Sequence, residues 1–184
     1  LNDEFAKSAG DVETLAALRD KLRQQLAERR QRDQEAALKR AAVEKLAAQH
    51  EVELPEAMVE REVAHVLEEM AFALRAAGGR LPAGEQAGDL EARARETARR
   101  RVKESLLLEA VARQEGLEVS EAEIDAEVRA MAGAYRQDPA SLTRAFEDPA
   151  RRAGLRARLL ERKAADWLFS QANITDAYRL IQPA

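Results

Sequence analysis

Hydrophobic and polar positions divide the longest helical pattern of this sequence, residues 11–49, into two apolar ends and a polar middle. The stretch contains no Gly or Pro and is rich in Ala, Leu, Glu, Gln, Lys and Arg, which are the residues that favour a helix. Apolar residues recur at helical spacing near both ends: Val12, Leu15, Leu18, Leu22 and Leu26 near the first, and Leu38, Ala42, Val43 and Leu46 near the second. Between these two groups, residues 28–35 (ERRQRDQE) offer nothing to bury.

A helix that is polar all round in its middle bridges solvent between two packing sites. We therefore interpret residues 11–49 as an exposed spine helix that joins two separate small cores. Asp11 is a suitable N-cap for it, and one continuous helix of this span is about 58 Å long. The pattern leaves an alternative open, which is a helix on a globular bundle with one solvated turn.

Gly and Pro separate the remaining sequence into shorter helices. Residues 1–10 form a lead-in with Phe5 as its anchor, and Pro55 suits the first turn of a second helix that runs to about Ala77. The apolar stripe of this helix alternates spacings of four and three: Val59, Val63, Val66, Met70, Ala73 and Ala77. A loop follows over residues 80–89.

A third helix is predicted from about Leu90 to Glu115, with Gly116 at its C-terminal end. Because a loop joins it to the second helix, we expect the two helices to form an antiparallel hairpin. The sequence shows no convincing strand and no hydrophobic alternation, so the predicted fold class is all-α.

Further along the chain, three local signals each predict the N-terminal end of a helix. Ser120 and Glu123 have the spacing of a capping box, and the helix that they open carries Ile124, Val128, Met131 and Tyr135 on one face. Asp138 and Asp148 each precede a proline, which predicts a short helix holding Leu142 and Phe146 and then a long helix to about Ala172. Residues 173–184 are predicted to be a tail.

Composition argues for thin apolar layers and against several classes of partner. Charged residues make up 35% of the 184 residues and aromatic residues only 4%, compared with about 25% charged residues in a typical domain. The net charge of −4, with both signs interspersed, disfavours a nucleic-acid partner. The sequence lacks an apolar run of membrane-spanning length, so no membrane partner is expected, and the absence of Cys permits a reducing compartment.

Candidate chemistry is sparse. His50 and His65 are the two histidines, and neither has a partner at metal-ligand spacing. The sequence also lacks a glycine-rich phosphate loop and a nucleophile elbow. The carboxylates lie among Lys and Arg on helix faces rather than as a sheltered pair. We therefore expect no cofactor, no metal and no enzyme activity in this chain.

Apolar residues off the packing stripes are the remaining candidates for function. Phe72 lies almost opposite the stripe of its helix, and Met58 also lies well off it. The last long helix has two apolar faces, one with Leu160, Ala164, Trp167 and Leu168 and another with Leu155, Leu159 and Phe169. Such faces either bind apolar segments of other chains or are buried between neighbouring helices. The candidate residues for binding such segments are Met58, Phe72, Phe146, Leu155, Leu159 and Phe169.

The sequence resembles the C-terminal domain of bacterial trigger factor, the ribosome-associated chaperone, over essentially its whole length. Three stretches carry the resemblance. Residues 52–70 (VELPEAMVEREVAHVLEEM) resemble the family's Val-x-Leu/Val-Pro element and the helix after it. Residues 100–128 (RRVKESLLLEAVARQEGLEVSEAEIDAEV) resemble the family's Arg-Val-Lys and Leu-Leu-Leu run. Residues 135–175 resemble its closing Asp-Pro, short helix and long helix.

The resemblance implies an elongated helical body with two protruding arms that cradles nascent or unfolded polypeptides in the cytoplasm without ATP. It places the lead-in and spine at residues 1–54, arm one at 55–119, arm two at 120–172 and a tail at 173–184. It also implies that a ribosome-binding domain and an FK506-binding-type prolyl isomerase domain lie upstream. Because the chain opens with Leu1, we interpret it as a piece of a longer protein that lacks both domains.

A second functional class is an alternative to the chaperone interpretation. The helices could instead form a structural or dimerisation module without a client surface, and a homodimer is left open. Suppression of the aggregation of an unfolded protein at a near-stoichiometric ratio separates the two classes.

We predict that the chain is elongated, because residues 28–35 have no apolar side chain with which to join a common core. A compact domain of this length has a radius of gyration of about 16 Å. Small-angle X-ray scattering should therefore give a clearly larger value. A radius close to the compact one would contradict the spine interpretation.

Overall fold

The computed structural model of the chain describes residues 2–10, 12–79, 85–135 and 138–173. These residues form α-helices and no strand, which confirms the predicted all-α class. The helices are α1 (Asp3–Gly10), α2 (Leu15–Gln49), α3 (Glu56–Ala76), α4 (Glu85–Gln114), α5 (Glu121–Tyr135), α6 (Pro139–Ala145) and α7 (Pro149–Gln171). The chain divides into two compact units, Leu1–Ala41 and Ala42–Ala184, and the boundary falls within α2.

The first unit contains α1, a helix that the sequence pattern did not predict. Asn2 caps α1, because its Oδ1 accepts a hydrogen bond from the backbone N–H of Phe5 at 3.1 Å. Phe5, the expected anchor, is 45% exposed, whereas its neighbour Ala6 is fully buried. A Cβ on Gly10 would lie only 2.5 Å from Cδ1 of Leu18. The missing side chain of Gly10 thus allows Leu18 of α2 to pack closely against it.

α2 begins at Leu15 rather than at the predicted position 11. Thr14 caps it, since its Oγ1 accepts a hydrogen bond from the backbone N–H of Ala17 at 3.2 Å. Asp3 of α1 also accepts a bond from the N–H of Leu15 at 2.8 Å. The expected cap, Asp11, lies outside the described residues.

The middle of α2 is solvated as predicted, because every residue from 19 to 37 is exposed. This exposure includes Leu22 and Leu26, which are 47% and 64% exposed although their spacing predicted that they pack. Helical spacing aligns side chains on one face, but it does not supply a partner for that face. In the C-terminal part of α2, Val43 and Ala47 are buried.

The second unit is held together by three small apolar clusters. The first joins α3 to α4 through Val59, Val63, Val66, Ala94, Ala98 and Val102. The second joins α2, α4 and α7 through Val43, Leu108, Ala112 and Ala164. The third joins α5 to α7 through Ile124, Val128, Leu155 and Leu159. Consequently α4 and α7 each contribute to two clusters.

The first cluster confirms the predicted hairpin of α3 and α4. Its α3 side is made of valines and its α4 side mostly of alanines, so the small side chains of α4 leave room for the branched side chains of α3. α4 begins at Glu85 rather than at Leu90 and includes Gly88. A glycine inside a helix costs about 1 kcal/mol relative to alanine, and packing of the later turns of α4 offsets that cost.

The predicted helix ends are largely confirmed. Gly78 and Gly116 have φ values of 76° and 63°, which glycine adopts without steric cost. Ser120 and Glu123 form the capping box, in which the N–H of Ser120 donates to Glu123 Oε2 at 2.9 Å and the N–H of Glu123 donates to Ser120 Oγ at 3.3 Å. The carboxylate of Asp138 caps α6, and that of Asp148 caps α7 in the same way.

Candidate functional site

Three helices of the second unit, α3, α4 and α7, line an open depression with a volume of about 980 Å³. We name this depression the trough. Both α3 and α7 pack against α4, so α4 forms the floor and the other two helices form the walls. Three other depressions on the described surface have smaller volumes, of about 460, 410 and 490 Å³.

The α3 wall uses a different side of the helix from the valine stripe. Met58, Glu62, His65 and Glu69 line it at successive spacings of four, three and four residues, which places them on one face. Phe72 continues this spacing beyond Glu69 and is 74% exposed. The face of α3 that lines the trough therefore ends in an exposed aromatic ring.

The floor and the α7 wall differ in character. On the floor, Val102 and Leu108 are buried members of the first and second clusters. On the α7 wall, Gly154 and Ala157 are exposed, and a Cβ on Gly154 would meet no atom within 4 Å. These small residues leave the α7 side of the trough open.

Ion pairs and hydrogen bonds link some of the polar groups in the trough. Arg101 donates hydrogen bonds to Glu62 at 3.1 Å and to Glu69 at 2.8 Å. The bond to Glu69 holds the pKa of that carboxyl group below its usual value. Ser105 Oγ donates to Glu161 at 2.5 Å. Glu104 differs from these carboxylates, because burial raises its pKa. The lining thus combines internal ion pairs with a partly desolvated carboxyl group.

The structure separates the residues that the sequence proposed for client binding. Met58 is half-buried against the first cluster and also lines the trough, and Phe72 is exposed. Phe146 is half-buried against the third cluster, and Phe169 is half-buried on α7. Met58 and Phe146 thus pack against two different apolar clusters.

Leu155 and Leu159 require a correction to the expected surface. They are only 7% and 5% exposed, because they pack against Ile124 and Val128 of α5. The opposite face of α7 packs against α2 and α4 through Ala164. α7 therefore packs against neighbouring helices on both apolar faces, although Leu160, Trp167, Leu168 and Phe169 stay half-buried. Leu155 and Leu159 are core residues.

The trough itself was not predicted. Its signals in the sequence were the spacing of Met58, His65 and Phe72 along one side of α3 and the small residues Gly154 and Ala157 on α7. Neither signal shows which helices become neighbours.

Among the described residues, no group of His, Asp and Glu is arranged to hold a metal ion. No helix in the described ranges is long and apolar enough to cross a membrane.

Beside the trough, ion pairs join the acidic face of α5 to the basic face of α7. Arg152 bonds both Glu121 and Asp125, at 2.6 and 2.8 Å, and Arg162 pairs with Glu127 at 2.9 Å. Further pairs are Arg156 with Glu121 and Lys163 with Glu123. These pairs flank the third cluster and orient the two helices relative to each other.

A family model described as the C-terminus of bacterial trigger factor protein matches residues 14–170 of the chain. Trigger factor of Moorella thermoacetica is 42% identical over 153 residues, which cover 80% of this chain and 34% of the relative. Trigger factor of Bacillus subtilis is 36% identical over 174 residues, which cover 91% of this chain and 40% of the relative. The chain therefore spans between about a third and two fifths of the length of these relatives.

Two solved structures share the fold. A structure of trigger factor domains from Thermotoga maritima has a TM-score of 0.58 at 18% identity and covers 76% of this chain and 83% of that chain. A structure of the trigger factor chaperone, described in connection with promiscuous substrate recognition, has a TM-score of 0.56 at 22% identity and covers 92% of this chain and 42% of that chain. At this level of identity the likeness concerns the fold alone.

The capping box of α5 predicts a pH dependence of stability. A hydrogen bond from Lys163, together with those from Ser120, lowers the pKa of Glu123 from 4.5 to about 2. A carboxyl group with a lowered pKa in the folded state stabilises the fold above the unfolded pKa, and this contribution disappears as the pH falls through the folded pKa. The free energy of unfolding should therefore decrease between pH 4.5 and pH 2.

Urea unfolding across this range measures the decrease. In Glu123→Gln the decrease should be smaller, because the titrating group is gone. Glu147→Gln is the matched control, since Glu147 is exposed and forms no ion pair among the described residues. Identical pH profiles for the parent and Glu123→Gln would contradict the assignment.

Proposed function

Because this chain belongs to the trigger factor C-terminal family, a family of chaperone domains, we propose that it is an ATP-independent chaperone domain. It binds exposed apolar segments of nascent or unfolded polypeptides and keeps them from aggregating. The observation that carries this proposal is the exposure of Phe72, the most exposed large apolar side chain among the described residues, at the end of the trough-lining face of α3.

The physical argument starts from the cost of exposing an aromatic ring. Leaving a large apolar side chain in water forgoes the roughly 1.5–3 kcal/mol that its burial contributes. Phe72 is 74% exposed, whereas Met70, two residues away, packs against the first cluster. An apolar segment of an unfolded chain that covers Phe72 recovers this free energy. Met58 provides a second apolar contact inside the trough.

We propose that the rest of the longer protein supplies the remaining family properties. The relatives extend well beyond the length of this chain, and the resemblance places ribosome binding and prolyl isomerisation in their upstream part. Delivery of nascent clients in the bacterial cytoplasm would then depend on the ribosome-binding part. The exposed ring of Phe72 and the side chain of Met58 would then hold those clients by apolar contact.

The chain by itself should not catalyse prolyl isomerisation. The matched family model describes the C-terminus of trigger factor, and the trough is an open depression lined mainly by charged and polar side chains rather than a sheltered apolar pocket. A proline-containing peptide assayed with the purified chain should isomerise at its uncatalysed rate. Acceleration that scales with protein concentration would overturn this proposal.

Replacing Phe72 by Glu tests the client surface. Substitutions at exposed sites usually change stability by less than about 0.5 kcal/mol, so Phe72→Glu should melt like the parent. It should suppress the aggregation of an unfolded protein less well, because a carboxylate must be desolvated against an apolar segment. Thermal melting and light scattering measure the two effects.

Met70→Glu is the matched control on the same helix. Met70 packs against the first cluster, so a charge there should cost several kcal/mol of stability. If Phe72→Glu melts as low as Met70→Glu, Phe72 is a core residue and not a client contact. If Phe72→Glu melts like the parent and still suppresses aggregation fully, clients bind elsewhere and the proposed role of Phe72 is wrong.

A further inference from the structure

We propose that Glu104 of α4 is a proton-dependent switch for the contact between α2 and α4. An ionised Glu104 weakens this contact, and a protonated Glu104 lets the C-terminal end of α2 pack more tightly. The switch belongs to the fold itself and is separate from the client surface proposed above. Four observations support it: the burial of Glu104, its lack of a partner, a second carboxylate that faces it, and the small size of the apolar contact beside it.

Glu104 lies half-buried where α4 meets α2 and the connector of residues 50–55. A depression of about 410 Å³ opens there, which we name the α2–α4 depression, and its apolar lining consists of Ala47, Ala48, Val52 and Leu54. One turn further along α4 lies the buried Leu108. A carboxylate in these surroundings loses part of its hydration, and this loss disfavours the ionised form.

No partner compensates Glu104 for this loss of hydration. Among the described residues it accepts no hydrogen bond and forms no ion pair. Of the cations near it on α4, Arg101 and Lys103 already bind other carboxylates, at 2.8 and 3.7 Å, and Arg100 is exposed to solvent. A half-buried carboxylate without a partner is costly to the fold.

A second carboxylate faces Glu104 from α2. Glu44 lines the same α2–α4 depression and also forms no ion pair with a described residue. Burial raises the pKa of Glu104, Arg100 opposes this shift, and Glu44 adds to it. Protonation of Glu104 therefore removes both a desolvated charge and a repulsion between α2 and α4.

Other charged groups surround Glu104 on every helix packed against α4. They are Arg61, Glu62, His65 and Glu69 on α3, Arg158 and Glu161 on α7, Glu51 on the connector, and Arg99, Arg100, Arg101 and Lys103 on α4 itself. His65 gains positive charge as the pH falls, which favours the ionised form of Glu104 and so opposes the switch. The effect of Glu104 is consequently measured in variants of Glu104 itself.

The contact beside Glu104 is small enough for one carboxylate to matter. α2 contributes the buried residues Val43 and Ala47, and Val43 belongs to one cluster with Leu108 and Ala112 of α4. Side chains of this size bury little apolar surface. The cost of one unpaired charge is therefore a large fraction of the free energy that holds α2 on α4.

The direction of the pKa shift fixes the sign of the pH effect. Because the pKa of Glu104 is raised above 4.5 in the folded chain, its protonated form favours the α2–α4 contact. This contribution is fully present below the unfolded pKa and is lost as the pH rises through the folded pKa. Glu123 acts with the opposite sign and in a separate range, between pH 4.5 and pH 2.

Thiol labelling of an Ala47→Cys variant tests the switch, because the chain contains no cysteine and Ala47 is only 8% exposed. Protection is the ratio of the labelling rates of the unfolded and the folded chain at one pH. It should rise several-fold as the pH is lowered from about 8 to about 5. With Glu104→Gln added, protection should be high at both pH values, since the amide resembles the protonated carboxyl group.

Glu96→Gln is the matched control. Glu96 is an exposed carboxylate on the same helix and lies outside the linings of the trough and the α2–α4 depression, so this variant should keep the parental pH dependence. Thermal melting verifies that each variant is folded. Hydrogen exchange of the amides of residues 43–49 in the cysteine-free chain gives a second measure of the same contact.

Three results would overturn the inference. The first is a protection that stays constant across this pH range when Glu104 is present. The second is a pH dependence that persists in Glu104→Gln, because the proton then acts at another group. The third is an equal loss of pH dependence in Glu96→Gln, since the effect would then follow the net charge of α4 and not the position of Glu104.

Discussion

The packing of α4 between α3 and α7 is the contact on which the second unit depends. α4 presents Ala94, Ala98 and Val102 to α3 and, further along, Leu108 and Ala112 to the second cluster with α7. With aromatic residues at only 4% of the chain, no single contact can bury much apolar surface. The helices therefore associate in pairs through narrow apolar seams, and α4 is the helix that two of those seams share.

Narrow seams explain why charge is so prominent beside them. Arg95 reaches Glu56 and Glu60 across the α3–α4 seam, and Arg152 reaches Glu121 and Asp125 across the α5–α7 seam. Exposed pairs of this kind contribute little stability individually. Their geometric effect is larger, because opposite charges on facing helices favour one register over others. The seams contribute burial, and the flanking pairs contribute specificity.

The packing of helices in pairs through narrow seams also leaves a concave surface on the second unit. Because α3 and α7 both pack on α4, a trough remains between them, and its volume of about 980 Å³ is not filled by the small residues of α7. A thicker core with larger side chains would close this space. Scarcity of large apolar residues thus shapes how the helices pack and leaves this surface concave.

Most elements of the fold followed from local sequence signals. The Gly and Pro punctuation, the capping box of Ser120 and Glu123, and the valine stripe of α3 predicted helices and a hairpin that the structure confirms, because each signal acts within one or two turns. The sequence pattern did not predict α1, because its apolar content is low. It placed the N-terminal end of α4 too late, because Gly88 and the surrounding residues are typical of a loop. A local sequence pattern does not show whether tertiary packing of a helix offsets the free-energy cost of a residue with low helix propensity.

The sequence by itself determined which side chains lie off each packing stripe, as for Phe72, whose predicted exposure the structure shows. Only the tertiary structure decided which apolar faces have partners. Leu155 and Leu159 on α7 and Leu22 and Leu26 on α2 have the same helical spacing, yet the first two are buried and the second two are exposed. The physical reason is that burial is a property of two surfaces, and periodicity along one helix specifies only one of them.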